Sequence, residues 1–312
     1  MTEYTNTKGS FWSWEARERQ LAGVWEEASE QYTNVTGWFA GGGTPANTSV
    51  IDKLNFAAET LSISPAKLST ARQLLAATAG NGFGWFGGGQ VPAQVSTIDK
   101  LNFSAETVAV SPAKLSVARQ GSAATAGNGF GWFGGGGFPA TTSVIDKLNF
   151  SAETVAVSPA KLSGARQVLA ATTGNGFGWF GGGSAPNISV IDKLNFSAET
   201  VAVSPAKLSG ARDRLAATTG NGFGWFGGGL PATSVIDKLN FSAETLAVSP
   251  AKLSTTRHAL SVTTGGGLGW FGGGNPTVST IDRLNFSAET VAVSPAKLSV
   301  ARAYLAATGS ST

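Results

Sequence analysis

A chain of 312 residues that is 42% hydrophobic and only 13% charged has ample apolar material for a core, which excludes a disordered protein. Its 42 glycines and 12 prolines point to many short strands joined by tight turns, and the lack of cysteine removes disulfides and thiolate metal sites. The net charge of +3 is dispersed: six repeats each contribute Asp, Lys, Glu, Lys or Arg, and Arg, while residues 1–36 set Lys8, Arg17 and Arg19 against six glutamates. A nucleic-acid groove needs clustered cations with aromatics free to stack, so no nucleic-acid partner is expected.

The first predicted element is helical. Phe11, Trp14, Leu21, Trp25, Ala28 and Tyr32 follow at spacings of 3, 7, 4, 3 and 4, with Glu18 in the vacant place. They form one aromatic-rich stripe with charges on the opposite face, and Ser10 or Ser13 can cap its start. Residues 1–34 are read as an N-terminal arm with this amphipathic helix. Two readings stand: the stripe packs on the rest of its own chain, or Phe11, Trp14, Leu21 and Trp25 dock into another subunit or associate with copies of the same helix. The first residues lack the basic and apolar regions of a secretory signal, and no run approaches the roughly 18 apolar residues that span a bilayer. No membrane insertion is expected.

From residue 35 to 312 the chain repeats. Gly-Trp-Phe recurs with its tryptophan at Trp38, Trp85, Trp132, Trp179, Trp225 and Trp270, so the spacings are 47, 47, 47, 46 and 45. Ile-Asp-(Lys/Arg)-Leu-Asn-Phe follows at Ile51, Ile98, Ile145, Ile191, Ile236 and Ile281, and Ser-Pro-Ala-Lys-Leu-Ser closes each unit. Periods of this size belong to propellers and solenoids.

Within one unit, alternation and turn residues give four strands. Leu74-Leu75-Ala-Ala-Thr is the first, with a turn over Ala79-Gly80-Asn81-Gly82. Phe83-Gly-Trp85-Phe86 is the second, ended by Gly87-Gly88-Gly89. The third is Ser96 to Phe103, where Ile98, Leu101 and Phe103 face a buried surface with one irregularity. After a Ser104-Ala-Glu106-Thr107 turn, Val108-Ala-Val110 is the outermost strand and runs to Ser111-Pro112, since proline belongs on an edge. The last unit ends with a first strand, Ala303 to Gly309, and the first unit opens on Gly37-Trp38-Phe39 with no first strand before it. Shared between the two ends, one blade completes a closed six-bladed propeller and removes two exposed sheet edges.

The order Ala-Arg, a small apolar strand, an aromatic-Phe-Gly-Gly-Gly segment and Ile-Asp-x-Leu-x-Phe resembles the kelch family of propeller repeats. The near-identical units resemble kelch-like repeat proteins of tailed bacteriophages and aquatic bacteria; the tryptophan usual between the third and fourth kelch strands is absent. The resemblance implies an all-β disc and a structural or adhesion role in a virion (tail, fibre or capsid surface). The implied partners are other virion proteins through the arm, and host surface glycans.

Kelch-type propellers include enzymes, yet the residues argue for none here. A copper site of the galactose-oxidase kind needs histidines and a tyrosine linked to cysteine; the chain has no cysteine, one histidine (His258) and three tyrosines. Acid–base chemistry needs single acids and bases in distinct environments, whereas every carboxylate of the repeats except Asp213 recurs six times. No catalytic residue, metal or cofactor is expected. His258 stands where other copies carry Gln73, Gln120 and Gln167 and reads as a surface variant. The arginine ring (Arg72, Arg119, Arg166, Arg212, Arg257, Arg302) reads as structural donors to carbonyls or to the Asp52 series. The Trp85 series reads as packing between blades, or else as a sugar-stacking platform. Asn81, Asn128, Asn175 and Asn221, in Gly-Asn-Gly turns, are candidate glycan contacts for a multivalent lectin, though turn chemistry alone explains them. An intracellular protein-interaction scaffold is a third reading. Two segments differ between copies: the loop after each glycine run, and the three residues after each Ala-Arg. Both fall at one end of an antiparallel blade, so one face of the disc is diverse.

Overall fold

The computed structural model of the protein describes residues 36–310, apart from 44 and 138. The helix expected over residues 1–34, and with it Phe11, Trp14, Leu21 and Trp25, lies outside the described residues.

The expected ring is present. Strands Thr36–Ala40 (β1), Val50–Asn55 (β2) and Thr60–Lys67 (β3) form an antiparallel sheet completed by Ala306–Gly309 from the far end of the chain, in the order last strand-β1-β2-β3. Gly37 opposes Gly309 and Ala40 opposes Ala306 in that closing pair. Five further four-stranded sheets follow over residues 76–114, 123–161, 170–207, 216–252 and 261–297. These are blades 2 to 6 of a β-propeller, and the shared sheet is blade 1.

Blade 2 shows how the residues build the unit. Its strands are Ala76–Gly80 (β4), Phe83–Gly87 (β5), Thr97–Asn102 (β6) and Thr107–Lys114 (β7). Asn81 and Gly82 both hold positive φ, 55° and 79°, as a two-residue primed hairpin turn requires. Asn102 Oδ1 accepts the backbone N–H groups of Ser104 and Ala105, which fixes the next turn. Two boundaries differ from expectation. The inner strand begins at Ala76 rather than Leu74, because Leu74 has φ 57° and so cannot join a ladder. The outer strand continues through Ser111-Pro112 to Lys114, the proline being accommodated on the outer edge. The irregularity in the third strand is a register shift between Thr97 and Asp99.

The core lies between blades. Trp85 is fully buried and stacks on Phe150 of blade 3, with ring centroids 5.6 Å apart; Trp38 meets Phe103 at 5.8 Å, and Trp270 meets Phe56 of blade 1 at 5.5 Å to complete the circle. Around Trp85, the residues Ile98, Ala113 and Leu115 of its own unit pack with Phe133, Leu148 and Phe150 of the next. Each such side chain contributes about 1.5–3 kcal/mol of transfer free energy. Small residues make the approach possible: a Cβ on Gly80 would stand 2.2 Å from the Phe150 ring. The inner strands surround a narrow axial channel lined by Ala76, Ala77 and their equivalents.

Candidate functional site

Two sets of repeated charged residues hold neighbouring blades together. Arg72 leaves blade 1, is fully buried, and reaches blade 2: its Nη1 lies 3.0 Å from Asp99 Oδ2 and its Nη2 donates to the Phe86 carbonyl at 3.1 Å. The Ser69 N–H donates to the same carboxylate oxygen at 2.9 Å. Arg119–Asp146, Arg166–Asp192, Arg212–Asp237, Arg257–Asp282 and Arg302–Asp52 repeat the pairing at 2.9–3.0 Å. Burial pulls the Arg72, Arg119, Arg257 and Arg302 guanidiniums down from their ordinary value, with the paired aspartate opposing it. Both functions suggested for the arginines, carbonyl donor and aspartate partner, are thus performed at once.

A second set joins the outer parts of neighbouring blades. Lys53 Nζ lies 2.5 Å from Glu106 Oε1 and Ser64 Oγ donates to Glu106 Oε2 at 3.1 Å; Arg283 with Glu59 closes this circle. The Trp85 series belongs to the core alone. All six indoles are fully buried, so no sugar can stack on them.

The asparagines sit at exposed turns on the uniform face, and each Nδ2 donates to a serine of the next blade. Asn81 binds Ser151 Oγ at 3.0 Å, Asn128 binds Ser197 at 3.0 Å, Asn175 binds Ser242 at 3.0 Å and Asn221 binds Ser287 at 2.8 Å. Their φ values of 52–55° are ones asparagine tolerates better than most residues. Turn geometry and a blade-to-blade bond therefore engage the four residues.

The diverse face is assembled from the two variable segments. Backbone bridges tie each residue after an arginine to the loop that follows a glycine run: Gln73 to Gln90, Gln120 to Gly137, Gln167 to Ser184, Asp213 to Leu230 and His258 to Asn275. His258 is thereby buried, 8% exposed, which corrects its reading as a surface variant: the segment dips beneath the loop it bridges. Its Nε2 lies 3.1 Å from Asn275 Nδ2, while Nδ1 has no partner. Desolvation, then the Arg214 charge, lowers the imidazole below its ordinary value, with Asp213 opposing. Burial likewise raises the Asp213 carboxyl.

At the axis the next residue of each segment completes a feature that sequence reasoning missed. Leu74 N–H donates to Tyr304 O at 2.9 Å, Gly121 to Leu74 at 2.8 Å, Val168 to Gly121 at 2.6 Å, Arg214 to Val168, Ala259 to Arg214 (both 2.7 Å) and Tyr304 to Ala259 at 2.8 Å. Six peptide groups, one per blade, thus form a closed hydrogen-bonded ring. All six residues have φ between 49° and 63°. Left-handed backbone costs roughly 1–2 kcal/mol for a non-glycine residue, and for β-branched Val168 it is a true outlier. The available signal was that the six copies carry six different residues at this one position.

Comparison of the sequence with protein-family models and with curated proteins gives no match. Fold and side chains carry the functional reading. Among the described residues, no group of three or more His, Cys, Asp or Glu side chains could hold a metal ion.

Proposed function

We propose that the chain is a non-enzymatic structural and adhesion protein: a rigid six-bladed disc that presents its diverse face to a partner and is joined to a larger assembly through residues 1–34. One observation carries the disc reading. The buried Arg and Asp side chains and the Lys/Arg–Glu pairs that recur in all six units are engaged blade to blade, so they are scaffold, and side-chain variety is concentrated on one face. A virion is the setting that the kelch-like resemblance to phage proteins supports. The anchoring role falls to Phe11, Trp14, Leu21 and Trp25, whose stripe would be costly to leave in water.

The test is to fractionate particles from producing cells and quantify the chain by mass spectrometry. Wild type is expected in the particle fraction at a fixed copy number. The Trp14→Ser/Trp25→Ser variant is expected to stay folded and remain outside it. A wild-type chain found wholly outside particles would overturn the virion setting. Titration with host oligosaccharides that saturates at several equivalent sites per chain would make it a multivalent lectin instead.

A further inference from the structure

The charges of residues 36–312 are sorted by the fold in a way their order along the chain conceals. These residues hold 19 lysines and arginines against 13 acids. Thirteen ion pairs take up every one of those acids: six Arg–Asp pairs, six Lys–Glu or Arg–Glu pairs, and Arg214 with Asp213. Six cations are left over, and they are equivalent: Lys67, Lys114, Lys161, Lys207, Lys252 and Lys297, one per unit. All six are exposed, and none has an ion-pair partner among the described residues. The positive excess of the repeats is presented by this one ring.

The ring has a definite place. Lys114 ends the outermost strand of blade 2 opposite Thr97, and the Leu115 N–H after it donates to Ser96 O at 2.9 Å. Lys67 opposes Val50 and Lys161 opposes Val144 in the same way. Each lysine therefore stands beside a variable loop, on the outer rim of the diverse face. At the uniform face the turn glutamates are paired, as Glu153 is with Lys100, so those turns carry no free charge. The lysine also ends a row of exposed side chains. Successive side chains of a strand point to opposite sides, and Val110, Pro112 and Lys114 are exposed while Ser111 and Ala113 between them are buried. The valine or isoleucine at the Val110 position is 52–60% exposed in all six copies. A short apolar ledge ending in a free cation is repeated around the circumference.

We propose that this lysine rim binds an acidic polysaccharide, a flexible polymer of carboxylate-bearing sugars laid over several blades at once. The proposal rests on the adhesion reading of the diverse face and not on the virion setting. A lysine ammonium is a point charge on a flexible stem, so it meets the carboxylate of a mobile chain without the planar fit that arginine imposes. The C–H faces of the sugar rings lie on the ledges of the Val110 and Pro112 type. Nucleic acid suits the rim less, because its strands bind by stacking bases on free aromatics, and all six propeller tryptophans are buried. One exposed ion pair changes affinity only about 1.5- to 5-fold. Contacts after the first are intramolecular, so binding strengthens with polymer length.

The test uses the full chain with polygalacturonate, neutral dextran of the same length, double-stranded DNA and phosphatidylglycerol vesicles, with affinities measured over a range of salt. Wild type is expected to bind polygalacturonate, to lose it as salt screens the charges, and not to bind dextran. Lys114→Gln is expected to weaken binding about 1.5- to 5-fold. Glutamine at all six rim positions is expected to abolish it with the melting temperature retained, since these lysines have no partners to lose. Lys100→Gln removes the same charge from a paired lysine and is expected to leave the affinity unchanged. Equal weakening by Lys100→Gln and Lys114→Gln would show that net charge alone is sensed, and would overturn the rim assignment. No binding of polygalacturonate by wild type at low salt would overturn it as well. Tighter binding of DNA or of the vesicles overturns the choice of a glycan. Salt-sensitive self-association without polymer binding also overturns it, giving the rim to the acidic residues 1–34 of a second copy. Failure of glycan binding by a chain that is still found in particles strikes this proposal and leaves the disc reading in place.

Discussion

The two ends of each inner strand use the same left-handed backbone and fill it in opposite ways. At the turn end the positions hold Asn81, Asn128, Asn175, Asn221 and Gly266, residues that accept positive φ at little cost. At the entry end the same conformation is imposed on Leu74, Val168, Arg214, Ala259 and Tyr304, with Gly121 as the one glycine. Uniformity at the turn end follows from backbone preference and a bond to the next blade. The entry end follows neither rule. Left-handed residues without a backbone reason are found where surrounding structure over-determines them, commonly at functional sites. In this ring the over-determination is visible, since each peptide group is held by both neighbours.

The largest expected effect lies on the scaffold side of that contrast. Arg72→Met leaves Asp99 buried with no cation, and breaking one partner of a buried pair costs about 3–5 kcal/mol. Denaturant unfolding should register the loss, with the midpoint shifted and the slope retained. A loss below about 1 kcal/mol would mean that the arginine ring is dispensable.

Much of this architecture was legible because it is written six times. Trp85, Asp99 and Arg72 recur at spacings of 45 to 47 residues, and a fully buried aromatic, a buried acid and a buried base are repeated only where geometry demands them. Blade count, strand order and the shared first blade all follow from that redundancy. The axial ring was not legible, because its bonds join residues about 45 positions apart through backbone groups, which side-chain motifs do not report. His258 was misread for a related reason: its burial depends on a bridge to Asn275, set by a loop whose length and sequence vary.

A smaller effect is expected on the variable side. His258 is held below its ordinary value, so the folded state binds that proton less readily than the unfolded chain. Stability from this group is present above the unfolded value of about 6.5 and is lost as pH falls through the lower, folded value. His258→Gln installs the residue found at Gln73, Gln120 and Gln167. Melting temperatures between about pH 7 and pH 5 should fall for wild type and fall less for the variant. Parallel curves would show that the histidine does not titrate against its buried setting.

The most direct measurement concerns the ring itself. Leu74→Gly, Val168→Gly and Tyr304→Gly each remove a strained side chain while preserving the peptide hydrogen bond. Relief of about 1–2 kcal/mol of left-handed strain is offset by the roughly 0.5–1 kcal/mol entropic cost of glycine. If these side chains serve something other than folding, the unfolding free energy of each variant should stay within about 1 kcal/mol of wild type or rise. A loss of about 2 kcal/mol or more at all three positions, the size expected for truncating a core side chain, would show that the ring residues are part of the scaffold and contradict the division between the two ends.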